Sequence, residues 1–365
     1  MKKKIFMKSA GTRGYSPLAR VMTLAVMLLA MAATAWAQET KYTVTMAEGT
    51  VDAANWTISP TEAAEGKPIT ATYSGTKHVK SVTAVTTAAA PAFAADEYNE
   101  ASWDDTNKKV VFEKKKATTT PVAVADANTD VTWSDGWYTV SGNVTITGKV
   151  TLGADAHLIL QDGATLTING QLNCRTNGKN LYIYGQKKGD GKLNVTNNGA
   201  NAINSNTGYR IDIHGGEVTA AATGAGSGLN TGYLAVYGGK LTATSGGGNG
   251  INFQNTFDVY GGEVEATSNA TSSLKNYYGI RSGGVNANQI LTVYGGKVTA
   301  TGNGITGEAS GDYGSGINCY VKSGTSGIKF YFSADGTTWG DGTGYASATQ
   351  VGYDDATKKR YAKAE

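Results

Sequence analysis

Between residues 181 and 300 one phrase is written four times: IDIHGGEVTA, LAVYGGKLTA, FDVYGGEVEA and LTVYGGKVTA. Its paired glycines fall at Gly215-Gly216, Gly238-Gly239, Gly261-Gly262 and Gly295-Gly296, in steps of 23, 23 and 34 residues. A degenerate copy, LYIYGQKKGDGKLNVT, precedes them at Leu181. Repetition at such a period is the mark of a solenoid: one unit cannot bury its apolar face alone, and stacked units bury a continuous core.

Within each copy apolar residues alternate with polar ones, as they do along a half-buried strand. The same alternation runs upstream from Trp137, where Tyr138/Val140, Val144/Ile146 and Val150/Leu152 make three short strands. Leu158/Leu160 opens the next coil, and Leu181/Ile183 the one after, 23 residues later. Three strands per coil predict an all-β chain, a right-handed parallel β-helix of about seven to eight coils stacked about 4.8 Å apart. Aligned by column, the copies place Leu181, Ile211, Leu234, Phe257 and Leu291 in one inward file and Ile183, Ile213, Val236, Val259 and Val293 in another. Leu193, Val218, Leu241, Val264 and Val298 make a third. Val195, Ala220, Ala243, Ala266 and Ala300 make the fourth. A composition of 49 Gly and 20 Tyr suits tandem β-coils, which need small turn residues between strands. The Gly-Gly pairs sit where the chain must turn, and glycine takes positive φ there at little cost. Phosphate-cradling loops lead into helices, and no helical period follows these.

The residue after each Gly-Gly position reads Lys192, Glu217, Lys240, Glu263, Lys297. Opposite charges therefore stack, and a one-coil slip would oppose like charges, which sets register. Asn204, Asn230 and Asn252 predict a ladder of side-chain amides. Cys174 and Cys319 both follow an apolar-Asn pair, so they share a column about five coils apart, roughly 24 Å at the strand spacing. A disulfide needs Cα atoms within about 7 Å, so two inward free thiols are expected.

The first 37 residues carry six bases and no acid, then an apolar run from Val21 to about Ala33 and the triplet Ala35-Trp36-Ala37. This pattern is that of a secretory signal peptide, residues 1–37, cut after Ala37. The run is short for a membrane span, so no span is expected after its removal. Removing six bases from 32 leaves 26 against 29 acids, so no basic surface remains to suggest nucleic acid. Residues 38–85 read as a small β module, a sandwich or grasp-like unit with strands at KYTVTM, NWTIS, PITATY and HVKSVTAV. Residues 86–130 read as linker and N-terminal cap. There ASWDDTNKKVVFEKKK makes a hairpin turning at DDTN, and a segment within 96–137 is expected to cover the first coil. The β-helix itself occupies 131–325. Residues 326–365 read as a C-terminal cap, with a hairpin turning at Asp335-Gly336 and a charged tail, short helix or frayed, from Asp354.

Two sets of outward residues could carry chemistry. Arg210, Asp212 and His214 alternate on one strand. Asp212 and Asp258 share a column with Ala235 between them, about 9–10 Å apart, a spacing open to paired-carboxylate hydrolysis. No Asp-rich calcium pattern is present, and GGGNGIN at 246–252 carries Asn252 where a calcium repeat needs Asp. The second set is the column before the glycines: Tyr184, His214, Tyr237, Tyr260 and Tyr294, with Tyr182, Asp212 and Asp258 beside it. Aromatic rings beside polar groups suit sugar rings; mutual stacking that merely shields the sheet is the alternative.

The repeated phrase, closed by Gly-x-Gly-Ile, resembles over residues 160–300 the secreted bacterial β-helix proteins classed as carbohydrate-binding domains. The resemblance implies binding of polysaccharide without cleavage, with calcium held by an Asp-Gly-Ile tag. Asn249-Gly250-Ile251 and Asn303-Gly304-Ile305 carry Asn in place of that Asp, so no cofactor is expected. The module YTVTM-x-EG…NWTISP is similar to N-terminal modules of surface proteins of gut anaerobes. Together these imply a secreted or cell-surface, non-catalytic glycan-binding protein, with an adhesive or structural solenoid that meets cell-surface proteins as the alternative. A polysaccharide lyase or hydrolase ranks last.

Overall fold

Each copy of the phrase folds as two strands flanking the glycines, and the apolar-Asn tag makes a third. The computed structural model describes residues 93–365 except 176–177, 206, 271–276, 285–286, 303–315 and 352–360. Of the first 92 residues it describes 4–10, 41–46, 53–59, 62–64, 70–74 and 81–87. The chain divides into two units, Met1–Ala92 and Phe93–Glu365.

In the first unit the four expected strands appear as Lys41–Met46, Trp56–Ser59, Thr70–Tyr73 and Ser81–Thr87. Trp56–Ser59 pairs with Thr70–Tyr73. The basic lead of the chain, Lys4–Ala10, is a strand between Lys41–Met46 and Ser81–Thr87, and Glu62–Ala64 closes the other edge. The apolar run and Ala-Trp-Ala triplet of the expected signal peptide lie outside the described residues.

The second unit is a parallel β solenoid. From Val131–Trp133 to Ile280–Ser282 each strand pairs with the strand three places later, coil upon coil, which builds three faces; the last ring-face strand ends on Ile317–Ser323. The ring face stacks Trp137–Val140, Ala156–Leu160, Leu181–Gly185, Arg210–Ile213, Tyr233–Val236, Thr256–Val259 and Ile290–Val293. The charge face runs from Asn143–Ile146 to Lys297–Thr301. The amide face runs from Val131–Trp133 to Ile280–Ser282. Ile317–Ser323 ends both the amide and ring faces. The four inward files are buried throughout. Each aliphatic side chain rests on its counterpart one coil away, and a fully buried Leu or Phe contributes on the order of 1.5–3 kcal/mol.

The paired glycines divide the work. Only the second takes positive φ: Gly216 at 83°, Gly239 at 75°, Gly262 at 74°, Gly296 at 76°. The first is needed because successive turns nearly touch: a Cβ on Gly261 would stand 2.7 Å from the Tyr237 carbonyl oxygen.

The charge column is in register from Lys192 to Lys297. Lys192 meets Glu217 at 2.5 Å, while Glu263 lies 3.4 Å from Lys240 and 3.7 Å from Lys297. Lys240 also reaches Glu265 in the neighbouring column, at 2.8 Å. These side chains are well exposed, so each pair contributes little. Glu217→Lys is expected to lower Tm by about 1–3 °C. Adding Lys240→Glu should not restore it, because the new carboxylate faces Glu263 and Glu265. Full recovery in a thermal melt would contradict the stacking.

On the amide face Asn252 Nδ2 donates to Asn230 Oδ1 at 2.6 Å, and Asn230 Nδ2 to Asn204 Oδ1 at 3.0 Å. Cys174 and Cys319 are buried free thiols in the inward column of this face. Burial pushes the Cys174 thiol up to about 12, and Cys319 is raised for the same reason. Neither supplies a thiolate near neutral pH.

At the N-terminal end the cover of the first coil lies within the expected window, 96–137, while the C-terminal end departs from expectation. The hairpin forms, Glu97–Asp104 against Lys109–Lys116, with Asp104 Oδ1 accepting the amides of Thr106 and Asn107 at 3.0 Å. It does not cover the first coil; it lies along the ring face. Residues 122–133 do the covering. Val122–Ala123 and Ala127 pair with the first strands of the ring and charge faces, and Val131–Trp133 is itself the first strand of the amide face, lying on Val150–Leu152. The Asp126 and Asp130 carboxylates accept the amides of Thr145 (2.7 Å) and Lys149 (2.8 Å), which have no further coil beneath them.

At the far end Gly336 takes positive φ and Asp335 Oδ1 accepts the amides of Thr337 and Thr338, both at 2.8 Å. Across this turn Phe330–Ser333 makes a bridge to Thr343 and accepts the Gly340 amide at Phe332, but it pairs chiefly with Tyr361–Ala364. That segment, expected as helix or frayed tail, is a strand. It lies antiparallel on Lys297–Thr301, with Ala362 and Ala364 fully buried. Tyr-Ala-Lys-Ala alternates, and its two methyls close the small-residue end of the core.

Candidate functional site: the ring face

Strands of the ring face point alternate side chains outward, so the residue before the glycines recurs at one spot in every coil. Tyr184, His214, Tyr237, Tyr260 and Tyr294 form an unbroken stack, with successive centroids 4.8, 4.9, 4.7 and 4.6 Å apart. This spacing is that of the strands themselves. Neighbouring rings therefore cover each other's faces and present only edges. A second pile stands beside it, with Trp137 on His157 (4.3 Å) and His157 on Tyr182 (4.6 Å). His157 Nδ1 joins the two piles at 3.0 Å from the Tyr184 hydroxyl.

The hairpin straps these edges. Tyr98 packs on Tyr184 at 4.3 Å and Trp137 at 5.1 Å, and Trp103 lies 5.6 Å from Tyr260 and 5.4 Å from Tyr294. Between them His214 Nδ1 stands 2.7 Å from the Ala101 carbonyl oxygen. A carbonyl only accepts, so the imidazole carries its proton on Nδ1 and donates it. Gln186 Nε2 donates to the carbonyls of Ala94 (2.7 Å) and Glu97 (2.8 Å). The strap thus runs from the Trp137 coil to the Tyr294 coil. Its Phe112 and Val110 sit over Gly238 and Gly261, where a Cβ would come within 3.1 and 2.9 Å of them. Burial pushes the Tyr184 and Tyr260 hydroxyls up and the His214 imidazole down.

Of the residues singled out from sequence, Tyr184, His214 and Asp212 are buried, and Tyr182, Tyr237, Asp258, Tyr260 and Tyr294 are half-buried. The strap closes over the ring column and leaves the neighbouring column beside it. There Tyr182, Asp212, Ala235, Asp258 and Thr292 stack in register. Arg210 Nε reaches both oxygens of Asp212, at 3.0 and 2.8 Å. Thr256 Oγ1 donates to Asp258 Oδ2 at 3.2 Å. Burial raises both carboxyls above the ordinary range; the Asp258 carboxylate raises that of Asp212 further, and Arg210 opposes the rise in both.

Sequence reasoning missed Tyr233. It stands directly over Arg210, is 39% exposed, and no ring stacks on it among the described residues. The signal was available: Tyr233, Ala235 and Tyr237 alternate outward on one strand, and the small Ala235 opens the column between Asp212 and Asp258.

Asn249, of the Asn-Gly-Ile tag, is buried, and its Oδ1 accepts the Tyr278 amide at 2.9 Å. It ties one loop to the next. Asn303 lies outside the described residues. Among those described, no three His, Cys, Asp or Glu side chains converge as a metal group would require, and no helix is long and apolar enough to cross a membrane. No family model, curated protein or solved structure matches the chain.

Proposed function

We propose that this protein is a secreted, non-catalytic, right-handed β-helix that binds glycan outside the cell, through the patch beside the strap rather than through the stacked rings. The observation that carries this reading is Tyr233, an exposed, unstacked aromatic ring next to an arginine and two carboxylates. A sugar binds by laying an apolar C–H face on a ring while its hydroxyls find fixed polar partners. The ladder of Tyr184 to Tyr294 has no free face for this. A non-catalytic role is supported by Asp212, whose two oxygens are both engaged by Arg210 and so are poorly placed for acid–base work.

In a binding screen of the mature protein against polysaccharides, Tyr233→Ala is expected to weaken binding about tenfold or more, with Tm unchanged because the ring is exposed. Tyr260→Ala should leave affinity as it was. Equal binding by wild type and Tyr233→Ala would remove the patch as the site. A second reading, an adhesive or structural solenoid, draws on the strap, which spends most of the ring face on internal packing. It predicts no glycan binding at all.

A further inference from the structure

Resting on the glycan-binding reading, we infer that the Tyr233 patch selects glycans whose sugars are uncharged or carry an amine, and rejects those built of uronic acids. Among the described residues Arg210 is the single cation facing Asp212 and Asp258, and its Nε already neutralises Asp212. Asp258 receives hydroxyl hydrogen bonds from Thr256 and Thr292 but makes no ion pair among the described residues. The patch therefore carries one uncompensated carboxylate in a half-buried setting. The Tyr182 ring below Asp212 and Ala235 between the two acids add no charge.

Arg210 also sets what can be recognised. Its side chain is 45% exposed, and its two terminal amino groups make no hydrogen bond to protein among the described residues. The backbone at Arg210 is pinned, its amide donating to Asn180 Oδ1 at 3.0 Å. A vicinal diol resting on Tyr233 can accept from the guanidinium while donating to the Asp258 carboxylate. A sugar carboxylate in the same place would gain the guanidinium, whose charge is already shared with Asp212, and would face Asp258 without water between them. Rejection by an unpaired like charge is a common basis of specificity. An amine instead supplies the cation that Asp258 lacks.

The test is titration calorimetry of the mature protein with chitosan oligomers, xylo-oligomers and oligogalacturonate at one ionic strength near neutral pH. The expected order is chitosan tightest and oligogalacturonate at least tenfold weaker than xylan. Asp258→Asn should bring oligogalacturonate to within about threefold of xylan and abolish the chitosan advantage; a thermal melt matching wild type shows that the variant folds. Oligogalacturonate binding as tightly as xylan, or an order unchanged by Asp258→Asn, overturns the charge selection while leaving glycan binding intact. Absence of binding to all three overturns the glycan reading and this inference with it.

Discussion

Replacing Gly239 by Ala is expected to cost at least about 3 kcal/mol, whereas Gly163→Ala costs about 1 kcal/mol. Both glycines take positive φ, 75° and 76°, so the backbone strain of an added Cβ is the same. The surroundings differ. A Cβ on Gly239 would stand 2.2 Å from the carbonyl oxygen of Gly216 in the coil below, with the Gly216 nitrogen at 2.9 Å; around Gly163 nothing lies within 4 Å. The obstructing atoms at Gly239 are backbone held in a parallel ladder, so relief requires prising two coils apart. Denaturant melts of the two variants measure the difference. Similar losses would mean that only the turn conformation, and not coil-to-coil contact, demands glycine after the ring column.

Tyr98→Ala is expected to free the strap without unfolding the solenoid. Tyr98 is buried against Trp137 and Tyr184, and losing a buried aromatic side chain costs about 3 kcal/mol. Here that loss falls on docking of the hairpin. Amide hydrogen exchange should show residues 97–116 losing about 100-fold in protection while the coils from 143 to 268 keep theirs. Loss of protection in both regions alike would make the strap part of one cooperative unit.

The same docking should weaken in acid. His214 lies between the rings of Tyr184 and Tyr237 and faces Ala101 and Glu100 on the strap. Burial lowers its pKa first of all, with Arg210 and His157 lowering it further and the Ala101 carbonyl and Glu100 opposing. His157, also lowered by burial, adds a second such group. A base whose pKa is lowered on docking contributes stability that is complete above its ordinary value of 6.5 and is lost as pH falls through the depressed one. Trp103 fluorescence, reporting on the ring stack, should therefore change in mildly acidic solution, and His214→Gln should shrink that change.

The repeat made much of the fold legible. The four inward files, the alternating Lys and Glu, the amide ladder and the two thiols in one column all stand where period-two alternation and a 23-residue step place them. The ring column was legible too, as a column. Its ring-to-ring stacking was one of two readings open from sequence; that no ring stays open was not legible, because it follows from coil spacing and from what lies above. Tyr233 escaped notice because it breaks the repeat: the same position holds Arg210 one coil before and Thr256 one coil after.

What the sequence alone determined is whatever each coil imposes on the next. Side-chain direction follows from strand alternation, and column membership from spacing; both are local rules multiplied by repetition. Only the tertiary structure decided where the non-repeating segments go. Glu97–Lys116 reads as an ordinary hairpin, and nothing in its pattern names its partner. Its place is set by Tyr98, Ala101 and Trp103 meeting a row of ring edges that exists only once seven coils have stacked. The Tyr361–Ala364 strand was hidden for the same reason: its partner edge, Lys297–Thr301, is presented only by the finished solenoid.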